Sequence, residues 1–139
     1  MKKSTIYKQY EIDFNEPIVS FEVAKCLDRR FSRYAKKFYV VNDNVKLGEN
    51  VYNKGDLISF DHLFRYYKII PKSFIGAPSI DKTINYLKKR YNFTIEIVKN
   101  EDNTYSSFIM TKYSDIVERK DGFMDELSAQ NWAIKESLI

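Results

Sequence analysis

The chain has 139 residues, 44% hydrophobic and 16% aromatic, with only four Gly and three Pro. That length suits one domain with an ordinary core, and so few Gly and Pro exclude long low-complexity tracts. The net charge of +4 comes entirely from residues 1–70, with thirteen basic and nine acidic side chains there and ten of each in 71–139. An excess this small favours solubility and some attraction of anions, without specifying nucleic acid.

The N-terminus, Met1-Lys2-Lys3-Ser4, lacks the apolar run of a signal peptide. No stretch reaches the ~20 apolar residues of a membrane span, so no membrane partner is expected. Residues 6–14 alternate, with Tyr10, Ile12 and Phe14 on one face and Glu11 and Asp13 on the other, and predict a half-buried strand. Asn15-Glu16-Pro17 ends it. Ser20 then caps a single predicted helix whose apolar residues Val23, Ala24, Leu27, Phe31 and Tyr34 follow a three-four rhythm. Cys26, the lone cysteine, can form no intramolecular disulfide and reads as a small buried hydrophobe in a reducing cytoplasm.

A short strand is predicted over 38–41. Val51-Tyr52 and Leu57-Ile58 flank Asn53-Lys54-Gly55-Asp56 as a hairpin, with Gly55 taking the positive φ. Ser59 caps a short helix containing Phe60, Leu63, Phe64 and Tyr67, closed by Ile69-Ile70-Pro71. Residues 73–78 read as a connecting loop and as the place for a subdomain boundary. Ser79 caps a helix over 79–91 that presents Ile80, Ile84, Leu87 and Tyr91 as one stripe. Strands over 93–98 and 104–111 follow, joined by the turn Asn100-Glu101-Asp102-Asn103. A polar loop through Asp121-Gly122 leads to a last helix over 124–138. Phe123, Leu127, Ile134 and Leu138 form its stripe, while Trp132 and Ile139 project off it.

Catalytic chemistry finds little support in this pattern. His62 follows Asp61 directly, and adjacent helical residues point about 100° apart, so the two make no dyad. With one His and one Cys, a zinc site would need a shell rich in carboxylates. Asp115, Glu118, Asp121, Asp125 and Glu126 cluster in sequence and could hold a hard cation, but they lack EF-hand spacing. Solvated loop and favourable charge at a helix N-terminus explain them better. No enzyme, metal or cofactor is expected.

Two surfaces stand out instead. Lys25, Arg29, Arg30, Arg33, Lys36 and Lys37 face only Asp28, and Phe31, Tyr34, Phe38 and Tyr39 interleave with them. A basic stripe with aromatic neighbours suits a nucleic-acid or anion face, although aromatics on the apolar stripe are equally core residues. Phe64-Arg65-Tyr66-Tyr67-Lys68 and Lys88-Lys89-Arg90-Tyr91 repeat this flavour. Trp132 and Ile139 form a candidate partner interface, since Trp adds apolar area while keeping a polar handle.

Three segments resemble small uncharacterised proteins of bacteriophages and prophages, particularly those of Bacteroidetes-type hosts. The first is Ser20-Phe21-Glu22-Val23-Ala24-Lys25-Cys26-Leu27. The second is Ala77-Pro78-Ser79 with the helix to Tyr91 and the strand to Ile97, where Tyr86-Leu87 stands in place of that family's tryptophan-leucine pair. The third is Glu126-Leu127-Ser128-Ala129 with Ala133-Ile134 and Leu138-Ile139. The resemblance implies a phage gene product, either in the virion or in the cytoplasm of the infected cell. It brings no catalytic residue with it.

The combined expectation is one α+β domain over 1–139 with a mostly antiparallel sheet and helices packed on one face. The hairpin of 93–98 and 104–111 would be central, covered by the helices at 79–91 and 124–138. The strands at 6–14 and 38–41 would extend that sheet or form a smaller one. The function expected is non-enzymatic contact with a protein partner or self-association, as a virion-assembly component or a host-protein binder. Nucleic-acid binding through 25–37 is the alternative, and sequestration of a small nucleotide ligand is a third reading.

Overall fold

A computed structural model describes residues 16–138. The strand predicted over 6–14 lies outside the described residues, as does Ile139. The fold is α+β, and among the described residues the strand pairs are antiparallel.

The first helix region departs from the sequence expectation in a way that shapes the whole surface. Ser20 does cap α1, Phe21–Cys26, accepting from the Val23 N–H. The helix then stops, because Leu27 turns extended (ψ 148°) and drops its side chain into the core. Asp28 caps a second, four-residue helix, α2, Arg29–Ser32. Cys26 is therefore exposed rather than buried, since Val23, Ala24 and Leu27 take the inward directions. Tyr34 also leaves the predicted apolar stripe, because the break resets the helical phase.

A first sheet has the order β4-β1-β5, formed by β1 (Lys37–Val40), β4 (Leu57–Ser59) and β5 (Phe74–Gly76). Strand alternation divides its side chains between two cores. Phe38, Val40 and Phe74 pack with Leu47, Ile58 and Leu63 on one side. Tyr39 and Ile75 pack with Val19, Val23, Leu27, Ile80, Leu87 and Ile134 on the other. The hairpin of β2 (Val45–Leu47) and β3 (Asn50–Tyr52) and the helix α3 (Phe60–Phe64) bring Leu47 and Leu63 to the first core.

The predicted 51–58 hairpin is corrected: β3 pairs with β2, and β4 pairs with β1. Its turn survives, with Gly55 at φ +90°. The Gly55 N–H donates to the Val40 carbonyl at 2.8 Å, and the Val40 N–H donates to the Asp56 carbonyl, also at 2.8 Å, so the ladder leads into β1. The predicted loop at 73–78 is corrected as well, because β5 occupies it and is buried throughout.

Glycine is required at position 76. A Cβ built there would stand 1.9 Å from the backbone oxygen of Ser32. Backbone thus meets backbone, and α2 is pressed directly onto β5.

The second half follows the sequence more closely. Ser79 caps α4, Ile80–Tyr91, accepting from the Lys82 N–H, and Asn92 ends it in the left-handed region (φ 60°). Ile80, Thr83 and Leu87 are buried, with Ile84 half-buried; Tyr91 at the end of the stripe is exposed. Strands β6 (Thr94–Lys99) and β7 (Tyr105–Met110) form the predicted hairpin. The polar loop expected next is in large part a third strand, β8 (Ile116–Phe123), which pairs with β7. The 38–41 region accordingly belongs to a separate sheet, and β7 is the centre of its own.

The last helix, α5 (Glu126–Ser137), buries Ala129, Ala133 and Ile134 rather than a stripe through Leu127, which is 42% exposed. Small side chains let this helix approach β7 closely, and the Ser107 hydroxyl donates to the Ala129 carbonyl at 3.0 Å. The buried face combines two small residues with one large apolar one, Ile134.

The acidic cluster has a structural use. The Ser106 hydroxyl donates to Asp121 at 2.6 Å, and Arg119 Nε donates to the same oxygen at 3.1 Å. Asp125 caps α5 by accepting from the Ser128 N–H at 2.7 Å. Among the described residues, no group of three His, Cys, Asp or Glu is placed to hold a metal ion.

Gly76→Ala should lower stability by at least ~2 kcal/mol by overpacking backbone against backbone. Gly55→Ala has open space except for Phe21 at 3.9 Å and should cost only the ~1–2 kcal/mol of a left-handed non-Gly residue. Urea midpoints in the reverse order would remove the close approach from the account. The bonds from Ser106 and then Arg119 hold the Asp121 carboxyl below its usual 3.8. Its folded value is thus the lower one, so its stabilisation is present above 3.8 and is lost as pH falls through the folded value. The urea midpoint should drop below about pH 4, and Asp121→Asn should flatten part of that drop. A variant with the same acid profile as the parent would exclude this linkage.

Candidate nucleic-acid interface

The six basic residues expected over one helix and its exit are divided by the break at Leu27. Lys25 remains on α1, paired with Glu22 at 3.0 Å and lying 4.8 Å over the Phe21 ring. That pairing keeps the Glu22 carboxyl below its ordinary range. Lys25 therefore does not join the other cations, a correction to the expected stripe. Lys36 and Lys37 follow α2. The Lys36 carbonyl accepts from Phe60 at 2.7 Å, and the Lys37 carbonyl accepts from Ala77 at 2.8 Å.

Arg29, Arg30 and Arg33 do come together. Asp28 fixes the start of α2, its carboxylate accepting from the Arg30 N–H at 2.9 Å. Ser32 is buried against Gly76, so the three arginines are left facing outward. They line a recess of about 220 Å³ together with Phe38, Ile70 and Phe74. Its rim is cationic and part of its lining is apolar. Arg29 Nη2 donates to the Lys72 carbonyl at 3.2 Å, which anchors one guanidinium at the edge.

Tyr34 is the residue the sequence reading placed wrongly. It is 75% exposed. Arg33 lies 4.7 Å over its ring, and Arg33 Nη2 donates to its hydroxyl at 2.6 Å. A guanidinium held on an exposed aromatic ring is a flat cationic platform. The helical phase of Leu27 concealed it. The local clue was Asp28, a strong N-cap residue in mid-helix.

The remaining candidates are dispersed. Trp132 is half-buried, with its ring 5.9 Å from that of Phe123; its proposed companion Ile139 is not among the described residues. His62 sits in α3, its ring edge-on to Tyr66 at 5.5 Å. The His62 Nε2 is buried and has no hydrogen-bond partner among the described residues. Among the described residues no helix is long and apolar enough to cross a membrane.

The Arg29–Tyr34 face can neutralise phosphate and offer a ring to an unpaired base. No protein-family model matches this chain, and no curated protein or solved structure matches it.

Proposed function

We propose that this protein binds single-stranded nucleic acid through Arg29, Arg30, Arg33 and Tyr34. The observation that carries the reading is the exposed Tyr34 ring with Arg33 laid over it. Stacking on such a ring is open to unpaired bases and is worth ~1–3 kcal/mol per base. The neighbouring arginines supply the sequence-independent attraction to phosphate. The resemblance to phage proteins is compatible with a binding role in the infected cell or the virion, without chemistry on a substrate.

Anisotropy of a labelled 12-nucleotide single strand at two salt concentrations tests this. Binding should weaken steeply with salt, by a slope of about 0.7 per phosphate contact. Arg29→Ala with Arg33→Ala should abolish most affinity, and Tyr34→Ala should cost ~1–3 kcal/mol with little change in slope. Affinity insensitive to all three changes would refute the site.

A second reading, protein contact, rests on a different corner. Met124 is 81% exposed and Leu127 42%, close in sequence to Phe123, whose ring lies 5.9 Å from that of Trp132 of α5. Exposed apolar side chains around a partly buried Trp suit self-association, as in an assembly component. Sedimentation velocity should then show a dimer that Met124→Glu dissociates. A strict monomer at high micromolar concentration would remove this reading.

A further inference from the structure

A second basic surface lies at the far end of α4. Asn85, Lys88, Lys89 and Asn92 recur at three- and four-residue spacing and share a face opposite buried Ile80, Thr83 and Leu87. Lys112 reaches the same place from a different element. Asn92 reverses the chain into β6, and Thr94 pairs with Met110, so the residue two beyond Met110 arrives beside the helix end. Together with Thr94 these side chains line a recess of about 520 Å³ with no carboxylate in its lining. Cations at a helix C-terminus relieve its dipole, which accounts for Lys88 and Lys89. It does not account for Lys112, which the sheet delivers.

This surface repeats the chemistry of the first. Lys112 lies 5.1 Å over the ring of Tyr113, which is 75% exposed, the same exposure as Tyr34 under Arg33. A third such pair, Arg90 at 5.4 Å over the exposed Tyr91 ring, closes the C-terminal end of α4. The Tyr91 ring meets Tyr86 edge-on at 6.3 Å, and Tyr86 stacks on Phe31 of α2 at 4.2 Å. Aromatic contacts thus run without a gap from α2 to the end of α4.

We infer that Lys88, Lys89, Lys112 and Tyr113 form a second contact for the same single strand, which passes from the Arg29–Tyr34 face across α4. This rests on the function proposed above. A helix with its side chains is ~10–12 Å across, so a short oligonucleotide touches one surface and a longer one both.

The test compares a 3-nucleotide and a 12-nucleotide strand on the full chain. Combined Lys88→Ala, Lys89→Ala and Lys112→Ala change exposed side chains only, and an unchanged urea midpoint confirms the fold. The 12-mer should lose about tenfold or more in affinity, with its salt slope reduced by about 2, three contacts at about 0.7 each. The 3-mer, held at the arginine face, should bind as to the parent, and Tyr113→Ala should weaken the 12-mer with its slope kept. If the triple variant binds the 12-mer like the parent while Arg29→Ala with Arg33→Ala does not, the second contact is wrong and the first stands. If the lysine changes impair the 3-mer equally, the path across α4 is wrong. If neither variant loses binding, both readings fall.

Discussion

The backbone of α2 rests directly on the backbone of β5, and the arginine face is a consequence of that one contact. Gly76 permits it, because any side chain there would collide with the Ser32 carbonyl. Four residues make too short a helix to be stable alone, so α2 is held by its neighbours. Ser32 and Ala35 face inward and Arg29, Arg30 and Arg33 outward, with Phe31 directed sideways onto Tyr86. The orientation of three cations is thus fixed by a glycine more than forty residues away in sequence. Without the close approach, α2 could not stand near enough to β5 for the arginines to rim a recess lined by Phe38, Ile70 and Phe74.

How much of this was legible in the sequence depends on whether the governing interaction is local. Caps are local, and Ser20, Ser59 and Ser79 are all N-caps as read. The hairpin of β6 and β7 is local too, with a short turn in which Asn103 takes a positive φ. The rest depends on long-range contacts. Strand β8 has no apolar alternation because nearly all of it is exposed; its pairing rests on β7 and on the Ser106–Asp121 bond. Strand β5 was hidden by Gly76, which reads as punctuation until the opposing backbone is seen. The buried face of α5 followed Ala129 and Ala133, whose value lies in their small volume.

The candidate site shows the same division. The run of basic residues over 25–37 was legible in the sequence. Tyr34 was not, because the three-four rhythm from Val23 to Tyr34 is real but is interrupted by Leu27. Leu27 turns extended while keeping its side chain in the core, and Asp28 caps a new helix, so Tyr34 falls on a different phase and emerges. Lys112 could not be assigned at all without the β6–β7 register, since nothing near it in the chain points toward α4.

The elements that carry this surface are tied to one another across the fold. The Tyr39 hydroxyl, whose pKa burial raises, donates to the Val19 carbonyl at 2.6 Å and fixes the segment before α1 to the first sheet. The Ser20 N–H donates to Asn131 at 2.8 Å, which ties that segment to α5 and through it to the second sheet. Phe31 and Tyr86 lock α2 to α4 with rings 11° from parallel. The elements that flank Tyr34 and Tyr91 are therefore joined by hydrogen bonds and ring contacts. Holding such groups in place before a ligand arrives removes part of the ordering cost of association. For a flexible polymer, the remaining cost falls on the ligand's own backbone, which is the part that a series of repeated, sequence-tolerant contacts is suited to offset.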